Sequence, residues 1–192
     1  MDEFELLVEA HRPAMKPVLA KLVRLLEAHH VRYVIGGANA LSLYVRPRMT
    51  VDVDAFVDAA EKERLEQLLV SHFRLIRIGQ FHSKFEEAGV EIDILYAGAS
   101  AEEFALANTR EAVILGTKLK AASAEALLWL YLLSDKEQNF VDALNLLRSN
   151  PALDIGLVRR QLEPDLTAKL EKMVHTARQP VPSYEESRAR RS

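Results

Sequence analysis

The sequence predicts an α/β (α+β) fold in which a mixed β-sheet flanked by helices is followed by a C-terminal helical bundle. Three observations carry this. A buried strand, a glycine pair and a helix run together over residues 31–45; two strands with aspartates on a single face follow, at residues 50–57 and 90–95; and from Ser123 onward the chain reads helical throughout.

The chain has 192 residues, 49% of them hydrophobic, which is enough for one substantial domain or two small ones sharing an interface. No apolar run approaches the roughly 20 residues that span a bilayer. The opening Met1-Asp2-Glu3-Phe4-Glu5 is acidic rather than signal-like, so a cytoplasmic protein with no membrane partner is expected. The absence of cysteine excludes disulfides and thiolate metal sites. A net charge of −3 gives no global attraction to nucleic acid, so an RNA partner would need a local basic patch.

Residues 1–30 read as an N-terminal helical segment with Phe4, Leu6, Leu7, Leu19, Leu22, Val23, Leu25 and Leu26 on its apolar face, interrupted near Pro13 and Pro17. His29 and His30 close it and have two readings, a metal pair or C-terminal groups favoured by the helix dipole; the second is preferred, because adjacent helical residues diverge by about 100°. Val31, Tyr33, Val34 and Ile35 form a short strand ending at Gly36-Gly37, and residues 38–45 read as helix. Paired glycines at such a point let phosphate oxygens approach backbone N–H groups.

Residues 50–57 alternate, with Val51, Val53, Ala55 and Val57 on one face and Asp52 and Asp54 on the other. Two carboxylates held a few ångströms apart repel unless a cation lies between them, and a hard divalent ion such as Mg²⁺ takes oxygen ligands of this kind. Asp58 caps an amphipathic helix over 58–73, buried through Leu65, Leu68, Leu69 and Phe73. Strands at 75–78 and 81–87 surround Gly79, and Gly89 turns the chain into the strand that carries Asp93 opposite Val90, Ile92 and Ile94. Aspartate is disfavoured within a strand. His82 and Lys84 share a face of the preceding strand, and two readings of Lys84 stand: a contact to a triphosphate, or cross-strand pairing with an acidic neighbour.

A short helix over 101–108 and an apolar strand over 112–115 come next, then Gly116, Lys118 and Lys120. Ser123 opens a continuously apolar helix containing Trp129 and Tyr131, and helices are expected at 140–147, 155–162 after Asp154, and 166–177 after Asp165. The organisation expected is therefore an N-terminal helical segment (1–30), a catalytic core (31–120), a helical subdomain (121–178) and a polar tail (179–192) with Arg188, Arg190 and Arg191.

Gly36-Gly37, then Arg48-x-Thr50-x-Asp52-x-Asp54, then a strand with the lone Asp93 resembles the DNA polymerase beta type nucleotidyltransferases over residues 31–96. Within them, the pattern is most similar to the small bacterial AbiEii-like (abortive-infection and toxin) branch and related minimal enzymes. The resemblance implies two Mg²⁺ ions, with Mn²⁺ a substitute, held by Asp52, Asp54 and Asp93, and Asp93 as ligand or general base at the acceptor. It implies transfer of a nucleoside monophosphate from an NTP to an RNA (tRNA among them) or protein hydroxyl, and a toxin-antitoxin setting with a cognate antitoxin or regulator. Gly36 and Gly37 would meet the phosphates through the backbone, while Arg48 and Thr50 would either reach phosphate oxygens or fix the strand. The resemblance also places a helical lysine about three turns before Asp142, facing the cleft with it. Here that position is Tyr131. Lys118, Lys120 or Lys136 would have to compensate, or Tyr131 is a core aromatic. An active transferase, a catalytically decayed nucleotide-binding relative and an interaction protein of a toxin-antitoxin pair are the three classes left open.

Overall fold

The computed structural model describes residues 14–98 and 100–180. The N-terminal residues Phe4, Leu6, Leu7 and Pro13 and the tail arginines Arg188, Arg190 and Arg191 lie outside the described residues.

A seven-stranded mixed sheet forms the centre: β1 (Tyr33–Ile35), β2 (Asp52–Asp58), β3 (Arg74–Arg77), β4 (His82–Glu87), β5 (Val90–Ala97), β6 (Thr109–Ile114) and β7 (Thr117–Ala122). The spatial order is β3-β4-β5-β2-β1-β7-β6. Pairs β2–β5 and β1–β7 are parallel and the others antiparallel. Strands β2 and β5 thus lie side by side within the sheet, with Asp54 opposite Asp93 in register.

One face of β2 and β5 carries Val53, Ala55, Val57, Ile92 and Ile94, all fully buried. This face is covered by α1 (Met15–Ala28) and α3 (Lys62–Val70). Tyr33, in register with Val57, donates its hydroxyl to Glu27 of α1 at 2.7 Å. Glu66 of α3 accepts from Ser83 at 2.6 Å and Tyr96 at 2.9 Å. These bonds satisfy a carboxylate that would otherwise be costly to bury, and Lys62 pairs with it as well.

The helix predicted from residue 58 is split. The Asp58 side chain accepts from the Ala60 N–H at 2.9 Å and caps a 3₁₀ turn, Ala59–Glu61, before α3 begins. The helix after the glycine pair, α2 (Gly37–Leu41), is one turn and continues as turns through residue 44. Val51 was expected on the buried face; it precedes the strand at its open end and is exposed.

The sheet also extends further than the sequence predicts. β7 follows an abrupt hairpin in which Leu115 and Gly116 both take positive φ, 50° and 77°, and it returns along β6 to pair with β1. Lys118 and Lys120 lie on this strand and, with Glu27 and Glu111, line a groove at the far edge of the sheet.

The helical part comprises α4 (Ser100–Ala107), α5 (Ala124–Leu132), α6 (Glu137–Ser149), α7 (Ile155–Arg159) and α8 (Pro164–Arg178). Ser123 caps α5 by accepting from Ala126 N–H at 3.2 Å, and Asp154 caps α7 by accepting from Leu157 N–H at 2.9 Å. α8 starts one residue before Asp165, with Pro164 in its first turn, where a missing N–H costs nothing. α4 packs on β1, β2 and β5, and α5 joins α4, α6, α7 and α8. Among the described residues no helix is long and apolar enough to cross a membrane.

Candidate active site: three aspartates beside a glycine turn

Period-two alternation sends Asp52 and Asp54 to the face opposite Val53 and Ala55, and the parallel register brings Asp93 of β5 beside Asp54. Carboxylate oxygens of Asp52, Asp54 and Asp93 all lie within 4.8 Å of one another. Octahedral Mg²⁺ with Mg–O of about 2.1 Å sets neighbouring ligand oxygens about 3 Å apart and opposite ones about 4.2 Å apart, so the cluster has the size and donor type of a divalent-cation site.

Burial shapes its charge. The Asp54 carboxyl is pushed up to about 7, first by desolvation and then by the charges of Asp52 and Asp93, while Lys136 and Arg48 act in the opposite direction. Three carboxylates on two adjacent strands are therefore held together against their own repulsion by the fold. Thr50 helps by donating its hydroxyl to Asp52 Oδ1.

The glycine turn abuts the same carboxylates. Gly37 has φ +54°, a conformation that L side chains rarely adopt, and a Cβ there would overlap the Asp54 carboxylate. A Cβ on Gly36 would run into the Phe56 ring. The Gly36 N–H donates to the Asp54 carbonyl at 2.9 Å, locking the turn to β2. Asn39, a buried polar residue the sequence reading passed over, donates to the Asp52 carbonyl at 2.9 Å and fixes the start of β2 from α2. Its signal in the sequence was a lone amide inside the apolar run Gly-Gly-Ala-Asn-Ala-Leu.

Arg48 and Asp142 meet each other. Nε and Nη2 of Arg48 bind the Asp142 carboxylate, and Gln138, one turn back on α6, donates to it at 2.9 Å. Asp142 is buried, so the pair ties the loop ahead of β2 to the helical part. Tyr131 is buried too; its hydroxyl donates to the Gly37 carbonyl at 3.4 Å, and burial, with the nearby Asp142 charge, holds its ionisation above the ordinary phenol value.

Lys84 takes the cross-strand arrangement, at 2.6 Å from Glu91 and 3.4 Å from Asp93. Of the three lysines that could replace a helical lysine, Lys118 and Lys120 are at the opposite sheet edge, whereas Lys136, exposed just before α6, acts electrostatically on Asp54. His82, which the sequence placed beside Asp93 without a role, is 2.6 Å from its Oδ1.

No protein-family model matches the chain, and no curated protein matches it. Several solved structures share its fold. A structure of ANT(2″)-Ia in complex with adenylyl-2″-tobramycin is 18% identical, with a TM-score of 0.59 over 82% of this chain and 97% of that one. The lincosamide antibiotic adenylyltransferase LnuA, lincomycin-bound, is 19% identical, with a TM-score of 0.50 over 67% of this chain and 93% of that one. An antigenic nucleotidyltransferase-like protein from Paracoccidioides brasiliensis is 18% identical, with a TM-score of 0.53 over 83% and 93%. At these identities the likeness is one of fold: a nucleotidyltransferase-type mixed sheet flanked by helices.

Proposed function

We propose that this chain is a nucleotidyltransferase that transfers a nucleoside monophosphate from an NTP to an acceptor hydroxyl. The observation that carries the reading is the cluster of Asp52, Asp54 and Asp93 within 4.8 Å, beside a turn at Gly37 where a Cβ would overlap the Asp54 carboxylate. Asp52, Asp54 and Asp93 would hold Mg²⁺, or Mn²⁺ in its place, which when bound neutralises phosphate charge and acidifies the acceptor hydroxyl.

The chain's own residues supply the rest. The Gly37 backbone would meet the phosphates, the Gly36 N–H being taken up by the Asp54 carbonyl, while Thr50 keeps Asp52 aimed at the cluster and Lys136 offers charge to the triphosphate. The acceptor oxygen attacks the α-phosphorus, its proton passes to Asp93, and the bond from the α-phosphorus to the bridging oxygen breaks as pyrophosphate leaves. In this reading Arg48 and Asp142 shape the wall of the site rather than touch substrate, because each already neutralises the other.

The acceptor we favour is an RNA, tRNA among them, or a protein, in an AbiEii-like toxin with a cognate antitoxin or regulator, in the cytoplasm. That preference rests on the run Gly36-Gly37-Ala38-x-Ala40-Leu41 followed by Arg48-x-Thr50-x-Asp52-Val53-Asp54. A second reading, a decayed member that binds nucleotide without transfer, is favoured by Tyr131, a buried phenol bonded to Gly37 where the resemblance places a lysine. A small-molecule hydroxyl acceptor belongs in the same test, given the antibiotics in the ANT(2″)-Ia and LnuA structures.

The experiment is incubation of the full chain with each α-labelled NTP and Mg²⁺, offering total RNA, total protein or hydroxylated antibiotics. Label on one acceptor class, absent with Asp54→Asn, supports transfer and names the acceptor. Nucleotide binding without label supports the decayed reading, and neither binding nor label ends both.

A further inference from the structure

His82 is joined to two partners. Its Nε2 lies 2.6 Å from Asp93 Oδ1, and Nη2 of Arg77 lies 2.9 Å from its Nδ1. A guanidinium has only donors. Nδ1 must therefore be the accepting nitrogen, and the imidazole proton sits on Nε2, where it is donated to Asp93.

The backbone aims this chain. In the β4–β5 register Lys84 is opposite Asp93 and His82 opposite Leu95, so both side chains stand on the aspartate face and flank Asp93. Both approach the same oxygen: Lys84 Nζ is 3.4 Å from Oδ1. Arg77 arrives from β3, the edge strand, whose pairing with β4 shifts between Leu75 and Arg77 and puts Arg77 opposite Lys84. Such irregularities re-aim a side chain. The return turn is tight as well, since a Cβ on Gly79 would sit 2.6 Å from the His82 carbonyl oxygen.

We propose that Arg77 and His82 form a positioning pair that fixes Asp93: Arg77 sets the imidazole tautomer, and His82 holds Oδ1 so that the other carboxylate oxygen is presented to the acceptor hydroxyl and the cation. The inference rests on the proposed transfer reaction for its catalytic consequence and on geometry for the rest. Without Arg77, the tautomer with the proton on Nδ1 becomes accessible. It would turn a lone pair toward Asp93 and release the carboxylate.

The test uses the full chain, with Arg77→Met, Arg77→Lys, His82→Gln and His82→Leu. Long-range proton–nitrogen NMR of the histidine rings, with His82 assigned from the signal lost in His82→Gln, should report the proton on Nε2. Arg77→Met should produce a tautomer mixture and Arg77→Lys should restore the single form. Mn²⁺ affinity, by calorimetry, should fall about tenfold in Arg77→Met and His82→Leu, and less in His82→Gln, whose amide keeps a donor. In a transfer assay at saturating Mg²⁺, kcat should fall about tenfold with the NTP KM unchanged. A wild-type His82 with its proton on Nδ1, or an Arg77→Met protein with unaltered tautomer and Mn²⁺ affinity, would overturn the proposal. A wild type that transfers nothing yet shows these tautomer and affinity changes would sink the enzymatic reading and leave the positioning pair standing.

Discussion

Arg48 and Asp142, 94 residues apart, form a forked ion pair: Nε lies 3.2 and 3.0 Å from the two carboxylate oxygens and Nη2 lies 2.9 Å from Oδ2. The partners are unequally sheltered, the Asp142 side chain being 2% exposed and that of Arg48 35%. Arg48→Met strands a buried carboxylate with Gln138 as its remaining side-chain donor, and should cost about 3 kcal/mol in denaturant unfolding. Asp142→Asn keeps hydrogen-bonding capacity and leaves a cation that water can reach, so about 1 kcal/mol is expected. A larger loss for Asp142→Asn would contradict this asymmetry.

Gly37 and Gly89 both have positive φ, +54° and +80°, but only Gly37 has the Asp54 carboxylate where a Cβ would go. Either alanine should cost about 1 kcal/mol in backbone strain. Gly37→Ala should in addition displace Asp54 and weaken Mn²⁺ binding by about tenfold or more. Equal Mn²⁺ affinities in the two variants, measured by calorimetry, would show that the glycine turn does not govern the cluster.

The Asp54 carboxyl, at about 7 in the folded chain against an ordinary 3.8, holds its proton more tightly folded than unfolded. Between those values the folded state carries more protons, so metal-free stability should fall as pH rises from about 4 to about 7, and level off above. Asp54→Asn should flatten that part of the profile. Divalent-metal binding, which needs the carboxylate, should strengthen across the same upper range and restore stability above it. Thermal unfolding with and without Mg²⁺ across pH reads all three.

Lys136 is exposed, makes no ion pair within 4.0 Å among the described residues, and opposes the raised proton affinity of Asp54. Lys136→Met should leave unfolding stability within about 0.5 kcal/mol while weakening Mg²⁺-nucleotide binding about tenfold. An unchanged affinity would remove Lys136 from the site.

The aspartates were legible because a carboxylate inside an alternating apolar strand, as at Asp52, Asp54 and Asp93, conflicts with strand preference unless a site needs it. β7 was not. Its Lys118-Leu119-Lys120-Ala121 alternates, yet two of its last residues are alanine, a weak strand former, and the hairpin places Leu115 at a φ of 50° that residue type does not advertise. The partner of Arg48 and the approach of Arg77 to His82 were out of reach for a different reason. Arg48 finds Asp142 across the packing of two layers, and Arg77 reaches His82 through a register shift on an edge strand. Local periodicity contains neither.

In the proposed function, Asp52, Asp54 and Asp93 act as one divalent-cation site that binds nucleotide phosphates. Calorimetric titration with a non-hydrolysable NTP, with and without Mg²⁺, on the wild type, Asp52→Asn, Asp54→Asn and Asp93→Asn reads this out. Binding should depend on Mg²⁺ in the wild type and fall about tenfold or more in each variant, and Asp54→Asn should not lower unfolding stability, because one charge leaves a mutually repelling group. Binding that is indifferent to Mg²⁺, or that all three variants retain, would mean that the three carboxylates form no such site.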